Sequence, residues 1–283
     1  MVRRVLLLSD GLANQGETDP AALAQHATAL RAKGITTSTF GLGADFDEEL
    51  MSNLSANGGG HFYFIEKPVQ ISDFFLSEIG EALEVVARDA RVVIAGAPGI
   101  EISCLNQFPV ERTSGGDVSI RLGDLVSEQQ VTTIIGVRCT AGAAGSTVAI
   151  SARLTDREHA LFSEPMSIEW RVTDAATDDA QPISAEVLIE VAKLLADGAR
   201  TRALEANRRG DYDRTAEILR AEAAAIRALA PDVPEVQAIA DDLFGERVLF
   251  QDAMSASEIK GRHFASTNAM FSRSPQGRAR KGT

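Results

Sequence analysis

Apolar and polar positions alternate along the first 87 residues in a strand–helix rhythm. Val2 to Leu8 ends in a short continuous apolar run behind Arg3 and Arg4, the mark of a strand buried on both faces. Asp19-Pro20 reads as an N-cap followed by proline at the first helical position, and Leu23, Ala27 and Leu30 give that helix its stripe up to Gly34. Ile35 to Phe40 predicts a second strand, and a helix from about Asp47 to Ala56 is stopped by Gly58-Gly59-Gly60. His61 to Ile65 predicts a third strand, and Phe75, Ile79 and Leu83 mark a helix near Ser72 to Ala87. Two consecutive βαβ units imply three parallel strands with right-handed crossovers.

From Ala90 to about Asp174 the rhythm changes to short strands between turns. Val131 to Val137, Val148 to Leu154 and Ile168 to Val172 have strand composition, and Ser114 to Asp117 and Ala141 to Gly145 have turn composition. An antiparallel β-sandwich is expected here, with Trp170 in its core. Residues 183–255 read as helical: Val187, Val191, Leu194 and Leu195 form one stripe, and Gly210-Asp211 breaks and caps. Pro231 and Pro234 set off a third helix. The Gly210-Asp211-Tyr212 turn is similar to that of a tetratricopeptide hairpin, but a single hairpin is not an array, so a small helical bundle is the preferred reading. Residues 256–283 lose periodicity, and Arg273, Arg278, Arg280 and Lys281 stand there among Gly, Ser and Pro. A disordered, solvated basic tail is expected. The fold class is thus α/β, a partial doubly wound sheet of three strands, followed by a β-sandwich and a C-terminal helical bundle.

Three strands are few for a doubly wound sheet, and Val2–Leu8 would become an exposed apolar edge through which the chain could associate. A neighbour is missing. Leu6-Leu7-Leu8-Ser9-Asp10-Gly11 resembles the central strand of von Willebrand factor A (VWA) domains that ends in an SDG metal-site motif. Residues 40–47 (Phe40-Gly41-Leu42-Gly43 to Asp47) and Gly58 to Tyr63 resemble the next two strands and loops of that family in order and spacing. The sandwich beside it, with Gly123-Asp124-Leu125, resembles bacterial VWA proteins of the inter-alpha-trypsin-heavy-chain type. The resemblance covers residues 1–174 and implies that the N-terminal half of the VWA domain is absent from this sequence, through truncation or through supply by a partner chain.

The same resemblance implies a protein-binding module that uses Mg²⁺ or a similar divalent cation. Its metal is held by D-x-S-x-S, by a Thr from a later loop and by the SDG aspartate. Asp10 matches the last of these; otherwise it is a capping or loop carboxylate. The nearest match to D-x-S-x-S is Asp117-Val118-Ser119-Ile120-Arg121, without the final Ser and within a strand. Mg²⁺ demands near-octahedral oxygen coordination, so no cofactor is expected for this chain alone. Completion of the domain would restore the site.

Composition narrows the field. A formal net charge of −12 opposes nucleic-acid binding. No apolar run approaches a membrane span or a signal h-region, so a cytoplasmic location is expected for a chain starting at Met1, unless a lost N-terminus carried a signal or anchor. Two cysteines, Cys104 and Cys139, are too few for a disulfide framework and are expected as small apolar strand residues. No G-x-S-x-G, H-E-x-x-H or Walker loop occurs, and Gly41-Leu42-Gly43 reads as a tight turn. His26, His61, His159 and His263 are scattered without partner motifs. No enzyme is expected; the alternative to a binding module is a structural scaffold without metal-dependent binding.

Overall fold

In a computed structural model the protein is described at residues 2–96, 99–113, 115–139, 145–174, 177, 181 and 183–282. β1 (Arg3–Ser9), β2 (Ile35–Leu42) and β3 (Gly59–Ile65) form a parallel sheet in the order β1-β2-β3. Arg3 pairs with Ile35 and Ser9 with Gly41, so the first two strands run in register along their whole length. α1 (Pro20–Ala32) and α2 (Glu48–Gly58) are the crossovers, and α3 (Ile71–Leu83) follows β3.

Local chemistry sets these boundaries. The Asp19 carboxylate accepts the free N–H groups of Ala21 and Ala22 at the start of α1, and Asp47 accepts that of Leu50 at the start of α2. Gly59 ends α2 at φ 71°, a left-handed conformation that a Cβ would strain. Its neighbour is the Arg31 guanidinium, which would lie 2.7 Å from such a Cβ. Aromatic packing fills the space below: Phe40, Phe46, Phe62, Tyr63 and Phe64 are buried together. Phe40 stacks on Tyr63 with centroids 4.9 Å apart.

The expected exposed edge is present. Among the described residues, β1 has β2 on one side and no strand on the other, and Val5, Leu7 and Leu8 are exposed. α3 begins as expected, and Phe75 packs on Phe40, but Leu76, Ile79 and Leu83 lie open to solvent.

Antiparallel strands start at Val85. β4 (Val85–Gly96), β6 (Val110–Arg112), β7 (Val118–Val126), β9 (Thr147–Thr155) and β10 (Met166–Arg171) form one sheet, in the order β10-β9-β4-β7-β6. β5 (Ile100–Cys104) and β8 (Ile135–Cys139) form a ribbon. Ile94, Ile120 and Ile150 from the sheet pack against Ile102 and, at the margin, Val137 from the ribbon, giving the expected sandwich. Three expectations need correction or limits. Trp170 is 38% exposed on the edge strand β10, whose residues are all exposed, and so lies away from the core. Cys139 is exposed, and it sits at the opposite end of the ribbon from Cys104, so neither can bridge the other. The turn expected at Ala141 to Gly145 lies largely outside the described residues.

α4 (Ala185–Arg208), α5 (Tyr212–Leu229) and α6 (Pro234–Glu246) are capped by Ser184, Asp211 and a Pro start respectively. Ala192, Ala196, Ala199 and Ala203 let α4 approach Leu219, Ile226 and Leu243 closely.

The disordered tail expected for residues 256–283 is absent. Residues Ala256–Met270 form a helix, α7, opened by a reciprocal capping box between Ser255 and Glu258. α7 packs against β3, with Phe264 in contact with Phe62, Tyr63 and Phe74. Arg273 is only 4% exposed. These residues are ordered by partners that lie far away in sequence, which local composition does not register. Among the described residues, no helix is long and apolar enough to cross a membrane.

Candidate functional site

The carboxyl ends of β1–β3 are where a doubly wound sheet presents its loops to a ligand. Ser9-Asp10-Gly11 closes β1, and the Ser9 hydroxyl donates to the Gly11 carbonyl at 3.0 Å. Asp10 stands exposed there. Across the rim, the amino terminus of α2 carries Asp47, Glu48 and Glu49.

Glu48 is buried and tied to both C-terminal helices. Lys260 from α7 donates to its Oε2 at 2.6 Å and to the Phe46 carbonyl at 2.6 Å, while Arg208 from α4 pairs with its Oε1. Arg208 also reaches Glu49 at 2.7 Å. Burial works against the Glu48 charge, but the Lys260 hydrogen bond and the Arg208 charge outweigh it and hold the carboxyl below its usual range. Lys260 lies 4.4 Å from the Phe46 ring centroid. The helical bundle is therefore clamped to the same rim that carries Asp10.

Under the other face of the sheet lies a second charged cluster. Glu78 of α3 is fully buried. Arg4 of β1 donates to it at 2.6 Å, Tyr63 at 2.7 Å, and Ser38 also donates. His61 Nδ1 lies 2.9 Å from Glu78 and its Nε2 lies 3.0 Å from Arg273 Nη1. A guanidinium can only donate, so Nε2 is the acceptor and Nδ1 carries the proton given to Glu78. Arg273 also holds Glu81 through 2.8 and 2.9 Å contacts. Burial opposes ionisation of Glu78, yet His61, Arg4 and the Ser38 hydroxyl together hold it far below the usual carboxylate range. Burial and the Glu78 charge push the Tyr63 phenol well up.

His61, Glu78 and Glu81 have ligand atoms close enough to share a metal ion. The donor set does not fit one. Each carboxylate is already engaged by an arginine, and Arg273 occupies the free imidazole nitrogen, so a cation would displace ion pairs in a site with no surplus negative charge.

The Asp10 rim does not fit a Mg²⁺-type ion either. Asp10 belongs to no group of three or more His, Cys, Asp or Glu side chains placed to share a metal, among the described residues. Asp117 to Arg121 lies along the start of β7 in the sandwich, with Ser119 and Ile120 buried. The Asp10 carboxylate by itself falls well short of the oxygens a hard cation needs, and the acidic residues of α2 do not gather with it into such a group.

Of the four histidines, His61 and His263 are packed with partners, and His26 and His159 are exposed. Sequence reasoning missed Glu78 and Arg31, although each interrupts an apolar stripe. Glu78 sits between Phe75 and Ile79, and Arg31 lies one turn beyond Ala27.

No family model matches the sequence. The fold is nonetheless VWA-like. The structure superposes on the von Willebrand factor type A protein from Catenulispora acidiphila with a TM-score of 0.67 and 14% identity, over 99% of this chain and 66% of that one. The ArnB paralog VWA2 from Sulfolobus acidocaldarius matches at a TM-score of 0.50 and 15% identity, over 99% of this chain and 65% of that one. In sequence, 98 residues are 31% identical to the uncharacterized protein YfbK of Escherichia coli (strain K12), covering 34% of this chain. The match spans 17% of the length of YfbK. Because the first superposition takes in nearly the whole chain, the sandwich and the C-terminal helices belong to the shared architecture along with the three-stranded sheet.

Proposed function

We propose that this chain is part of a VWA-type protein-interaction module of the bacterial inter-alpha-trypsin-heavy-chain-like kind, and that it has no catalytic role. The observation that carries this reading is the VWA-like arrangement with Asp10 exposed at the carboxyl end of β1. The exposed β1 edge and the open Leu76, Ile79 and Leu83 of α3 support completion of the sheet by residues outside this sequence, in the same polypeptide or a partner. Metal-dependent binding requires that completion, because D-x-S-x-S and the Thr ligand have to come from there. The test supplies a VWA amino-terminal half in cis and measures capture of protein partners with Mg²⁺ and with EDTA. Capture that needs Mg²⁺ and is lost in Asp10→Ala supports the reading; no capture in either condition overturns it.

A scaffold reading is favoured by one observation, the Lys260–Glu48–Arg208 clamp that binds the rim rigidly to two helices. It predicts that the completed protein shows no Mg²⁺-dependent thermal shift.

A further inference from the structure

The sheet, the sandwich and α7 meet around a cavity of about 50 Å³ at the amino end of β3, the end opposite Asp10. Phe62, Phe108 and Phe271 give it apolar walls, and Arg31, Arg121 and Arg273 line it. Two of these guanidinium groups are matched: Arg31 by Asp89 at 2.8 Å and Arg273 by Glu81. The one lining carboxylate, Asp124, is engaged by Arg4 at 3.4 Å and by the Asp89 N–H at 3.0 Å.

Arg121 is different. The β4–β7 register sets it directly opposite Arg91, a like-charge pair that a sheet disfavours. Its Nη2 pairs with the half-exposed Glu111, at 3.0 Å. Its Nε is buried without a hydrogen-bond partner. An unpaired buried N–H on a charged group is costly, and such costs persist where something else satisfies them. Burial also works against the Arg31 charge; Asp89 supports it, and Arg121 adds repulsion. The cavity is therefore lined by three arginines and one already engaged carboxylate, with the Arg121 Nε–H left unpartnered, within a chain of net charge −12.

We propose that this cavity binds a small oxyanion of the phosphate type, with Arg121 as its principal donor. The volume suits a few waters or one such anion and is too small for a nucleotide. Apolar walls lower the local dielectric and strengthen each charge-assisted hydrogen bond. This inference does not depend on partner binding at the opposite rim.

The test is thermal denaturation of the full chain titrated with inorganic phosphate against chloride at matched ionic strength. The wild type should show a saturable rise in melting temperature specific to phosphate. Arg121→Gln should weaken the apparent affinity about tenfold or more, with its midpoint in chloride unchanged or raised because repulsion from Arg91 is gone. Arg220→Gln, at an exposed arginine of α5, should respond as wild type does. Should Arg121→Gln fail to fold, Glu111→Gln takes its place: freeing Arg121 from its competing carboxylate should tighten phosphate binding. A wild-type response no greater in phosphate than in chloride would mean that water alone fills the cavity, and the proposal is overturned. It is equally overturned if Arg121→Gln keeps the wild-type response, or if Glu111→Gln binds phosphate no more tightly.

Discussion

Glu78 concentrates much of the residue-scale chemistry, because one buried carboxylate joins β1, β2, β3 and α3 through Arg4, Ser38, His61 and Tyr63. Removing one member of a buried ion pair leaves the other uncompensated, so Glu78→Ala is expected to cost about 3–5 kcal/mol in urea denaturation. A loss below about 1 kcal/mol would show that solvent already reaches Arg4. His263 makes a separate, pH-dependent prediction. Burial lowers its proton affinity, only partly offset by Glu48, while Arg208 lowers it further. The folded state thus favours neutral His263, and an unfolded histidine titrates near about 6.5. Its contribution is present above that value and is lost as pH falls through the lower folded value. Urea midpoints measured at successive pH values below neutrality should fall less steeply in His263→Gln than in wild type; parallel curves would refute the assignment.

Among the elements, α7 departs most from its sequence pattern. Its helical signal is weak because its buried residues, Ile259, Lys260, His263, Phe264 and Thr267, mix polar and apolar types. Ile259 packs into the helical core, whereas the partners of Lys260 and Phe264 lie around 200 residues earlier, so periodicity within the helix could not reveal them. Phe264→Ala should destabilise by about 3–5 kcal/mol, the usual cost of truncating a buried phenylalanine. Backbone amides of α7 should also exchange slowly with deuterium; immediate exchange would restore the disordered tail. β1 is the converse case. Its apolar run was legible, as was its position at an edge, since only three strands were countable. Leu8→Lys should change stability by no more than about 0.5 kcal/mol, as expected for an exposed site. The same substitution should reduce any association that runs through this edge, read as a shift in sedimentation coefficient or in captured partner.

At the scale of the whole molecule, the three segments are held by charges as well as by apolar packing. Arg208 and Lys260 bind the helices to α2, and Arg273 binds the chain after α7 to α3. Arg31 of α1 joins the parallel-sheet segment to the sandwich through Asp89, and Arg157 does so by donating to the Arg31 carbonyl; burial would raise the Asp89 carboxyl, but Arg31 and Arg91 hold it low. Depressed carboxyls at Glu48, Glu78, Glu81 and Asp89 make stability fall with acid, below the range where free carboxylates titrate, about pH 4. Because Asp10 joins no group of three or more His, Cys, Asp or Glu ligand atoms among the described residues, adding Mg²⁺ to this chain should leave its melting temperature unchanged beyond the effect of ionic strength. A saturable rise would reveal ligands that the rim does not display.

The sequence by itself determined the three parallel strands, β9 and β10, and most helices, because hydrophobic period, Asp19-Pro20, Asp47 and the glycines at 58–60 act over a few residues; it read Val85 to Ala87 as helix, where β4 begins. It also located Asp10 and exposed the want of companion ligands. Only the tertiary structure decided where the C-terminal arginines, Lys260 and α7 go, that Trp170 lies on an edge strand, and that Arg121 sits opposite Arg91 beside a cavity. Those outcomes depend on charges and rings brought together from distant positions, and no local pattern encodes such meetings.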